Sequence, residues 1–396
     1  MNAPLEGIRV LDVSRVLAGP FCSMLLGDMG ADVVKVERVG RGDDSRSVGE
    51  KVAGESTYFM SMNRNKRSVT LDFRNPEGIE LLRKLAAEAD VLVENFRAGT
   101  MEKMGLGWET LHELNPRLIL ASISGFGQTG PYRDFAAFDM IIQAMSGMMN
   151  MTGDPDRPPV TTGTFLVDYA TGLYTAFGIL GALRARDQTG RGQHLDMALL
   201  DTAFSFLVTS IPDWLLLNSK MERRGNRDRY CAPTNLFTSK DGRYVFIAAA
   251  TDGLFPRLAK VIGREDMLTD PRYATNVERM KRIEETEQIL GDWVAGRDAD
   301  DVVALMRDAG LPCAKVATID EVVEDPQIRH RDMLVEIDHP TVGRLPMHGL
   351  NVHFSETREV IRRHPPLLGE HTEEVLEEWL KLMPADVSTL AERGVV

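Results

Sequence analysis

Cysteine is scarce in this sequence, positive charge is in deficit, and each shortage excludes a class of protein. The three cysteines, Cys22, Cys231 and Cys313, lie far apart and form no CxxC pair. We therefore predict neither a disulfide framework nor a metal site, and a reducing compartment is favoured. Lysine and arginine number 46 against 59 aspartates and glutamates, which gives a formal net charge of −13. A chain this acidic is not expected to bind nucleic acid, because phosphate contacts need a basic face.

Long apolar runs are also missing. No uninterrupted run is long enough to cross a bilayer, and the start of the chain, MNAPLEGIRVLDVSRV, lacks the pattern of a signal peptide. We expect a cytoplasmic protein that does not bind membranes. With 396 residues, 43% of them hydrophobic, the chain is long enough for a sizeable core and two or three domains.

Common nucleotide and hydrolase motifs are absent. The first predicted strand is followed by SRVLAGPF, which contains no GxGxxG, although Glu37 and Arg38 end the second strand where a dinucleotide-binding protein places its ribose contact. The sequence also lacks a P-loop, HExxH and GxSxG. An NAD enzyme is therefore disfavoured, and the scattered histidines predict no metal site.

The first half of the chain alternates β-rich and helical patterns. Strands are predicted at 7–16, 31–38, 91–96, 118–125 and 194–199, and helices at 20–28, 76–90, 108–115, 138–151 and 163–183. This alternation predicts an α/β fold in which helices cover a parallel sheet. The runs of valine, isoleucine and leucine suit strands that are buried on both faces.

The composition changes at Met221–Tyr230, MERRGNRDRY, which we interpret as a domain boundary. Beyond it, a hairpin signal at Lys240-Asp241-Gly242 and helical patterns over 254–310 indicate a small α+β domain. Short strands recur from Leu334, and a helix over 370–382 is predicted to end the chain. The predicted domains are a large one, 1–220 completed by 326–396, and a small one, 221–325.

Positive charge concentrates between Lys35 and Arg74, where nine lysines and arginines face six acidic residues. A solvated surface has the same composition. A phosphate site is the functional interpretation, because guanidinium groups match phosphate oxygens.

The segment Gly163–Leu183, GTFLVDYATGLYTAFGILGAL, contains one charged side chain, Asp168. A carboxylate in apolar surroundings costs desolvation free energy unless it is paired or hydrogen-bonded. Composition alone favours a helix N-terminal acid, near Thr161, Thr162 and Thr164, that accepts hydrogen bonds from backbone N–H groups. The alternative is a nucleophile that attacks an acyl group and forms an anhydride, and an aspartate at a helix start is expected to stay ionised for that role.

Several ordered segments shift this balance towards the nucleophile. They are GIRVLDVSRVLAGPFCSMLLGDMGADVVKVER, NRNKRSVTLDFRNPEG, ENFRAGTMEKMGL, ISGFGQTGP, FDMIIQAMSG, LVDYATGLY, TGRGQ and PPLLGEHT. Over nearly the whole chain they resemble family III CoA-transferases of the CaiB/BaiF type, which include formyl-CoA transferase and carnitine CoA-transferase. Two further segments, GDDSR (42–46) and ESTYFMSMNRNKRS (55–68), resemble the succinyl-CoA–glutarate branch.

The resemblance implies a fold and a reaction. The fold is a Rossmann-like large domain completed by the C-terminal segment, a small domain, and two ring-shaped chains interlocked as a homodimer. Asp168 matches the catalytic aspartate, which carries anhydride and aspartyl-CoA thioester intermediates. The substrates are an acyl-CoA and a carboxylic acid, with coenzyme A as a substrate moiety and no permanently bound cofactor. Our hypothesis is a dicarboxylate whose far carboxylate is held by a cation such as Arg46 or Arg67.

The resemblance also implies contacts with CoA and with the reacting groups. Asp139 matches an acidic position near the nucleophile and is expected to orient groups around the thioester or to cap its own helix. Leu17 replaces a glutamine of formyl-CoA transferase, and Ala248–Gly253 replaces its glycine-rich loop, so neither formate nor oxalate is expected as substrate. Arg74 and Lys103 exchange the type of cation relative to that enzyme. The positions that match the CoA site are Val16, Ala18, Arg38, Leu71, Arg74, Asn95, Phe96, Lys103 and Met104.

Three alternatives stay open at this point. A racemase of the same fold, acting alpha to an acyl-CoA thioester, would have a histidine where the sequence Ala137-Phe138-Asp139 has phenylalanine. A CoA-binding protein without catalysis would bind CoA and turn nothing over. A transferase for an aromatic or hydroxy acid would share the site and differ in its loops.

Overall fold

A computed structural model describes residues 3–357 and 361–396. The strands are β1 (Arg9–Asp12), β2 (Asp32–Glu37), β3 (Lys51–Val52), β4 (Glu55–Ser56), β5 (Lys66–Thr70), β6 (Val91–Glu94), β7 (Ile119–Ser124), β8 (His194–Ala198), β9 (Thr234–Thr238), β10 (Tyr244–Ala248), β11 (Cys313–Lys315), β12 (Leu334–His339) and β13 (Gly343–His348). The helices are α1 (Ala18–Asp28), α2 (Thr57–Ser61), α3 (Pro76–Glu88), α4 (Thr100–Lys103), α5 (Trp108–Leu114), α6 (Asp139–Ser146), α7 (Met148–Met151), α8 (Leu166–Thr189), α9 (Leu199–Ser205), α10 (Ser210–Leu217), α11 (Phe255–Val261), α12 (Asn276–Met280), α13 (Ile283–Ala295), α14 (Ala299–Asp308), α15 (Ile319–Val323), α16 (Pro326–His330), α17 (Thr372–Leu380) and α18 (Pro384–Glu392).

The chain divides into two compact units. The first contains Met1–Met148, Thr161–Leu215 and Arg329–Val396, and the second contains Met149–Val160 and Leu216–Ile328. The predicted boundaries, 220/221 and 325/326, lie near the ends of the second unit. That prediction did not place residues 149–160 in the second unit.

The first unit is built on a six-stranded sheet in the order β5-β2-β1-β6-β7-β8, and every neighbouring pair is parallel. The predicted α/β fold with a parallel sheet is confirmed. Strand order reverses between β1 and β6, and in doubly wound sheets the carboxyl ends of the strands at this point border a ligand crevice.

The sequence prediction missed β5, whose residues KRSVT read as a charged surface segment. Lys66 and Arg67 are nevertheless buried, because each has a carboxylate partner on another segment. Lys66 Nζ lies 3.0 Å from Asp12 Oδ2, and Arg67 bonds the carboxylate of Asp32. The sequence analysis therefore missed this buried strand because its composition is charged.

The C-terminal segment completes the core of the first unit. Helix α17 packs on β5 and α3 with Val375, Leu376 and Trp379 buried. The prediction that the helix over 370–382 ends the chain is wrong, because α18 follows it. Lys381, at a φ of 58°, ends α17, and a proline in the first turn, where no N–H is needed, begins α18.

The helix predicted over 138–151 is divided into α6 and α7. Gly147 separates them at a φ of 95°, in the left-handed region that only glycine adopts readily.

Helix α8, with 24 residues, is long and apolar enough to span a membrane by length and composition, and the bent pair α9 and α10 passes the same test together. In α8, 44% of the apolar window is buried, and the helix packs against α1, α9 and strands β7 and β8. The core helix of an α/β domain satisfies the same criteria.

The second unit contains the antiparallel sheet β11-β10-β9, and the hairpin predicted around Lys240-Asp241-Gly242 joins β9 to β10. The segment Ala248–Gly253 follows β10. The buried Arg279 holds this segment, because its guanidinium donates to Ala250 O and to Asp252 Oδ1.

Candidate active site

A cleft of about 590 Å³ opens at the carboxyl ends of β1, β6, β7 and β8 in the first unit. It lies at the reversal of strand order, where a doubly wound sheet is expected to bind its ligand. Residues 15–18 after β1, residues 95–98 after β6, and Asp168 on α8 are among those that line it. Three segments that are distant in the sequence therefore meet around one carboxylate.

Asp168 stands in the first turn of α8, partly exposed to the cleft. Among the described residues, no hydrogen bond or ion pair engages its carboxylate. Burial, followed by the negative charge of Asp139, raises the pKa of Asp168 to about 7. Burial and the charge of Asp139 thus oppose the ionisation that a helix start favours.

Asp139 caps the helix that carries Asp168. Its Oδ2 accepts hydrogen bonds from the backbone N–H of Val167 at 2.7 Å and of Asp168 at 3.1 Å. We predicted that Asp139 orients groups around the thioester or caps its own helix, α6. Asp139 does cap a helix, but that helix is α8. The capping role that the sequence gave to Asp168 therefore belongs to Asp139.

Gln143 supports this cap from the next turn of α6. Its Nε2 donates to Asp139 Oδ1 at 2.5 Å and to Thr162 Oγ1 at 3.0 Å, and its Oε1 accepts from Thr162 N at 3.0 Å. Thr162, one of the threonines noted in the sequence, therefore supports the start of α8 indirectly, through Gln143 and Asp139. Asp139 and Gln143 are both buried.

We expect Asp139→Asn to weaken the reaction at this site and to change its pH dependence. The variant loses part of the α8 cap, which costs about 1 kcal/mol of stability. It also removes the charge that raises the pKa of Asp168, so the acid limb of the activity profile should move to lower pH. The measurement is kcat/KM for CoA transfer against pH. Gln143→Leu is the matched control, since it weakens the same network without removing a charge. An unmoved acid limb in Asp139→Asn would contradict this prediction.

Tyr58 is a neighbour of Asp168 that the sequence did not single out. Burial, followed by the charge of Asp168, raises the pKa of Tyr58. Its ring packs edge to face on Phe165, at 6.3 Å between ring centroids, just before α8. A single tyrosine in a loop carries no signal of its own, and only the resemblance segment ESTYFMSMNRNKRS included it.

Buried charged side chains hold the loop that follows β1, residues 13–17. Asp12 Oδ2 lies 3.0 Å from Lys66 Nζ, and Asp12 Oδ1 accepts from the backbone N–H of Ser14 at 3.0 Å. Lys35 Nζ lies 2.8 Å from Asp43 Oδ2 and donates to Ser14 O at 2.9 Å. Although burial opposes it, the charges of Lys66 and Lys35 keep the pKa of Asp12 below its usual range.

The same network holds Val16 in a strained conformation. Its φ of 68° is rare for a β-branched residue, and its backbone N–H donates to Asp43 Oδ1 at 3.1 Å. Gly19 follows, where a Cβ would lie 2.2 Å from the Cβ of Ser14. This close approach lets α1 begin directly beside the cleft.

Four of the nine residues predicted to contact CoA line the cleft, and the other five do not. Val16, Ala18, Asn95 and Phe96 line the cleft together with Asp168 and with Leu17, which is almost wholly buried. The other predicted residues are outside the lining of this cleft: Arg38 is half-buried, Leu71 is buried in the core, Met104 packs against that core, and Arg74 and Lys103 are exposed.

Arg46 and Arg67, suggested for the far carboxylate of a dicarboxylate, do not line the cleft. Arg46 bonds Glu37 and stacks on Phe59, and Arg67 bonds Asp32 and two glutamates of α17. Much of the positive stretch is thus structural. Among the described residues, the arginines that line the cleft are Arg15, Arg97 and Arg133.

The chain is similar in sequence and in structure to known proteins of one family. A family model described as CoA-transferase family III matches residues 5–372. The succinyl-CoA–D-citramalate CoA-transferase of Chloroflexus aurantiacus is 38% identical over 394 residues, which cover 99% of this chain and 98% of that protein. The succinate–glutarate CoA-transferase of Agrobacterium fabrum is 39% identical over 382 residues, 95% of each chain. The crystal structure of a CaiB/BaiF family protein from Brucella suis matches with a TM-score of 0.84 and 39% identity, and covers 96% of this chain and 100% of that one.

Proposed function

Because the chain belongs to CoA-transferase family III, we propose that it moves CoA from a succinyl-CoA-like donor to a carboxylic acid through covalent intermediates on Asp168. One observation carries the proposal. The carboxylate of Asp168 faces the cleft, has no partner within residues 3–357 and 361–396, and has its pKa raised to about 7. Such a group is poised to react, because it is weakly solvated and not neutralised by a cation.

The reaction has four steps that conserve charge. An Asp168 oxygen attacks the thioester carbon of the donor, the C–S bond breaks, and a mixed anhydride and CoA thiolate form. The thiolate attacks the Asp168 carbonyl, which releases the donor acid and leaves an aspartyl-CoA thioester. The acceptor carboxylate attacks that thioester and again expels the thiolate. The thiolate then attacks the acceptor acyl carbon, which regenerates the Asp168 carboxylate.

Each tetrahedral intermediate needs an oxyanion stabiliser. The α8 terminus cannot supply it, because Asp139 already accepts from the N–H groups of Val167 and Asp168. Helix α1 begins at the cleft with no side-chain cap, and none of the described hydrogen bonds uses the N–H of Ala18 or Gly19. We assign the stabilising role to this first turn of α1, where free N–H groups and the helix dipole favour negative charge.

A dicarboxylate substrate is the second part of the proposal. The relatives from Chloroflexus aurantiacus and Agrobacterium fabrum are named for succinyl-CoA–D-citramalate and for succinate–glutarate transfer. The cleft contains three arginines, Arg15, Arg97 and Arg133, against the acids Asp44 and Asp168. This excess of positive charge suits a ligand that carries both phosphates and a second carboxylate.

We also propose that the enzyme acts as an interlocked homodimer. Large apolar side chains on and around α8 and α9 are exposed in the single chain, among them Leu173, Phe177, Phe204, Val208 and Leu215. Exposed large apolar side chains on neighbouring helices are typical of an interface between subunits.

Trapping with hydroxylamine tests the covalent route. The protein is incubated with succinyl-CoA, treated with hydroxylamine and mapped by peptide mass spectrometry. We expect a hydroxamate on Asp168, because anhydrides and thioesters react with hydroxylamine and a free carboxylate does not. Asp187→Asn, at the exposed far end of α8, should keep the adduct and Asp168→Ala should lose it.

Absence of an adduct with succinyl-CoA, acetyl-CoA and other donors would contradict the proposal. The racemase and the non-catalytic CoA-binding protein would then be the better readings. Deuterium exchange at the alpha carbon of a 2-methylacyl-CoA in D₂O separates these two.

A further inference from the structure

The buried carboxylate of Glu94 stands at the end of β6 and holds the backbone that follows this strand. Glu94 Oε2 accepts a hydrogen bond from the backbone N–H of Phe96 at 2.7 Å. Asn95 and Phe96 both line the cleft, whereas Glu94, which is 3% exposed, lies beneath them and does not. The proposed chemistry uses no carboxylate at this position, so the role of Glu94 is to be sought in the residues that it holds.

Asn95 and Phe96 also hold the neighbouring wall of the cleft, after β1. Asn95 Oδ1 accepts from the backbone N–H of Arg15 at 2.7 Å, and Asn95 Nδ2 donates to Arg15 O at 2.7 Å. The guanidinium of Arg15 lies over the ring of Phe96, 5.2 Å from the ring centroid. A change at Glu94 that moves Phe96 therefore reaches the cleft walls after both β6 and β1.

Asp12 stands at the end of β1 in a similar way, but its charge is compensated. Each of the two carboxylates accepts from the backbone N–H two residues further along the chain. Asp12 pairs with Lys66 Nζ at 3.0 Å, whereas no lysine or arginine of the described chain forms an ion pair with Glu94. A buried carboxylate without a cation costs free energy, and such groups concentrate at functional sites.

A hydrogen-bonded row continues from Glu94 across the sheet. Ser122 lies opposite Glu94 on β7 and hydrogen-bonds its side chain. Ser122 Oγ lies 2.9 Å from His194 Nε2 on β8, and the ring of Trp108 on α5 stacks on His194 at 5.7 Å between ring centroids. Burial outweighs the acidic charges around His194, that of Glu109 on α5 included, and lowers its pKa. The imidazole is therefore neutral at pH 7 and supplies no counter-charge to the row.

The charges that act on Glu94 from α4 and β8 are negative. Burial raises the pKa of Glu94 most, and the charges of Glu102 and Asp196 raise it further. The hydrogen bonds from Ser122 and from the N–H of Phe96 oppose this shift, and the pKa is about 7. Glu94 therefore changes its charge near neutral pH, and its hydrogen bond from Phe96 is stronger when the carboxylate is ionised.

We propose that Glu94 is a positioning residue for the CoA moiety, which fixes Phe96 from below and, on ionisation, tightens the cleft walls after β6 and β1. The inference rests on the proposed function, since Asn95 and Phe96 are expected to contact CoA. CoA should bind more tightly above pH 7 than below it, because the ionised carboxylate holds the N–H of Phe96 more firmly. The rate of the chemical step on Asp168 should not depend on this change.

Titration calorimetry with CoA at pH 6 and pH 8, together with kcat for CoA transfer, tests the role of Glu94. Glu94→Leu removes the acceptor and should weaken CoA binding about tenfold at pH 8, with kcat within about threefold of the wild type. Glu94→Gln keeps a neutral acceptor, so it should bind CoA as the wild type does at pH 6 and about fivefold more weakly at pH 8. The ionisation of CoA itself is common to all variants. Glu113→Gln, an exposed acid on α5, is the matched control and should change neither quantity.

Ser122→Ala supplies a second test that does not need Glu94→Leu to fold. The hydrogen bond from Ser122 favours the ionised form of Glu94. Its loss should move the midpoint of CoA affinity against pH upward by about one pH unit. A merely structural role of Ser122 would weaken binding equally at every pH.

The outcomes separate this inference from the function on which it rests. Wild-type CoA affinity in Glu94→Leu would overturn the positioning role. Glu94→Gln that follows the wild type at both pH values, or an unmoved midpoint in Ser122→Ala, would overturn the dependence on ionisation. A loss of kcat in Glu94→Leu without a change in CoA affinity would also overturn the assignment. A wild-type protein that binds no CoA at either pH would contradict the proposed function itself.

Discussion

Asp168→Asn is expected to abolish CoA transfer and, at the same time, to stabilise the fold at pH 8. Activity should fall at least about 10⁴-fold, because an amide cannot form the anhydride and no second group replaces a covalent nucleophile. The gain in stability arises because the wild-type protein holds a poorly solvated carboxylate next to Asp139. A catalytic group kept in an unfavourable environment lowers the stability of the fold.

The pH dependence of this gain follows from the direction of the pKa shift. The pKa of Asp168 in the folded protein, about 7, lies above its ordinary value of 3.8, so the folded state binds the proton more tightly. The penalty is therefore fully present above pH 7 and disappears as pH falls from 7 towards 4. We expect Asp168→Asn to raise the free energy of unfolding by on the order of 1–3 kcal/mol at pH 8 and to have little effect at pH 4.

Urea unfolding of both proteins at pH 4, 6 and 8, with the transfer assay at pH 8, checks both parts. Asp187→Asn on the same helix controls for loss of a negative charge. Equal stabilisation at all pH values would show that the carboxylate is not the cause. Retained activity in Asp168→Asn would remove Asp168 from the mechanism.

Of the variants considered, Asp12→Asn is expected to lower the free energy of unfolding most, by about 3–5 kcal/mol. Asp12 does not line the cleft. Its carboxylate is fully buried and pairs with Lys66 Nζ at 3.0 Å, while Ser23 Oγ donates to it at 2.6 Å. The variant leaves a buried ammonium group without its partner. Burial already lowers the pKa of Lys66 to about 8 despite the charge of Asp12.

The loss in Asp12→Asn should shrink as pH rises above 8, because a neutral Lys66 needs no counter-charge. Removing both charges in Asp12→Asn/Lys66→Met should cost less than Asp12→Asn alone, since breaking a buried pair is worse than replacing it. Denaturant midpoints of the two variants at pH 7 and pH 9.5 measure this. A double variant less stable than the single one would show that packing, rather than charge pairing, dominates.

The fold class was readable because it depends on local patterns. Runs such as ADVVKVER and LILASISG are short, β-branched and separated by helices, and the strands β2 and β7 lie within them. The strand β5 was missed because KRSVT is buried only through pairs with Asp12 and with Asp32. A charged strand has no signature until its partners are known.

The candidate site was also predictable only where it depends on local sequence. Asp168 was singled out as the candidate nucleophile because a lone carboxylate in an apolar segment is conspicuous and because its surroundings resemble a known family. The cap from Asp139 was not, since it joins residues 29 positions apart in different helices. The ion pairs of Arg46 and Arg67 were not predicted for a similar reason, as Arg67 reaches glutamates more than 300 positions away.

The sequence by itself determined the alternating α/β architecture and the family, and it singled out Asp168 as the candidate nucleophile, because these depend on local periodicity and on motifs that lie in one stretch of chain. Only the tertiary structure decided which charges are available for chemistry. A charged group is available to a ligand when the described residues leave it unpaired, as we propose for Asp168, and it supports the fold when distant segments neutralise it, as for Lys66. Pairing across the fold is a property of three-dimensional distance, and sequence order does not contain it.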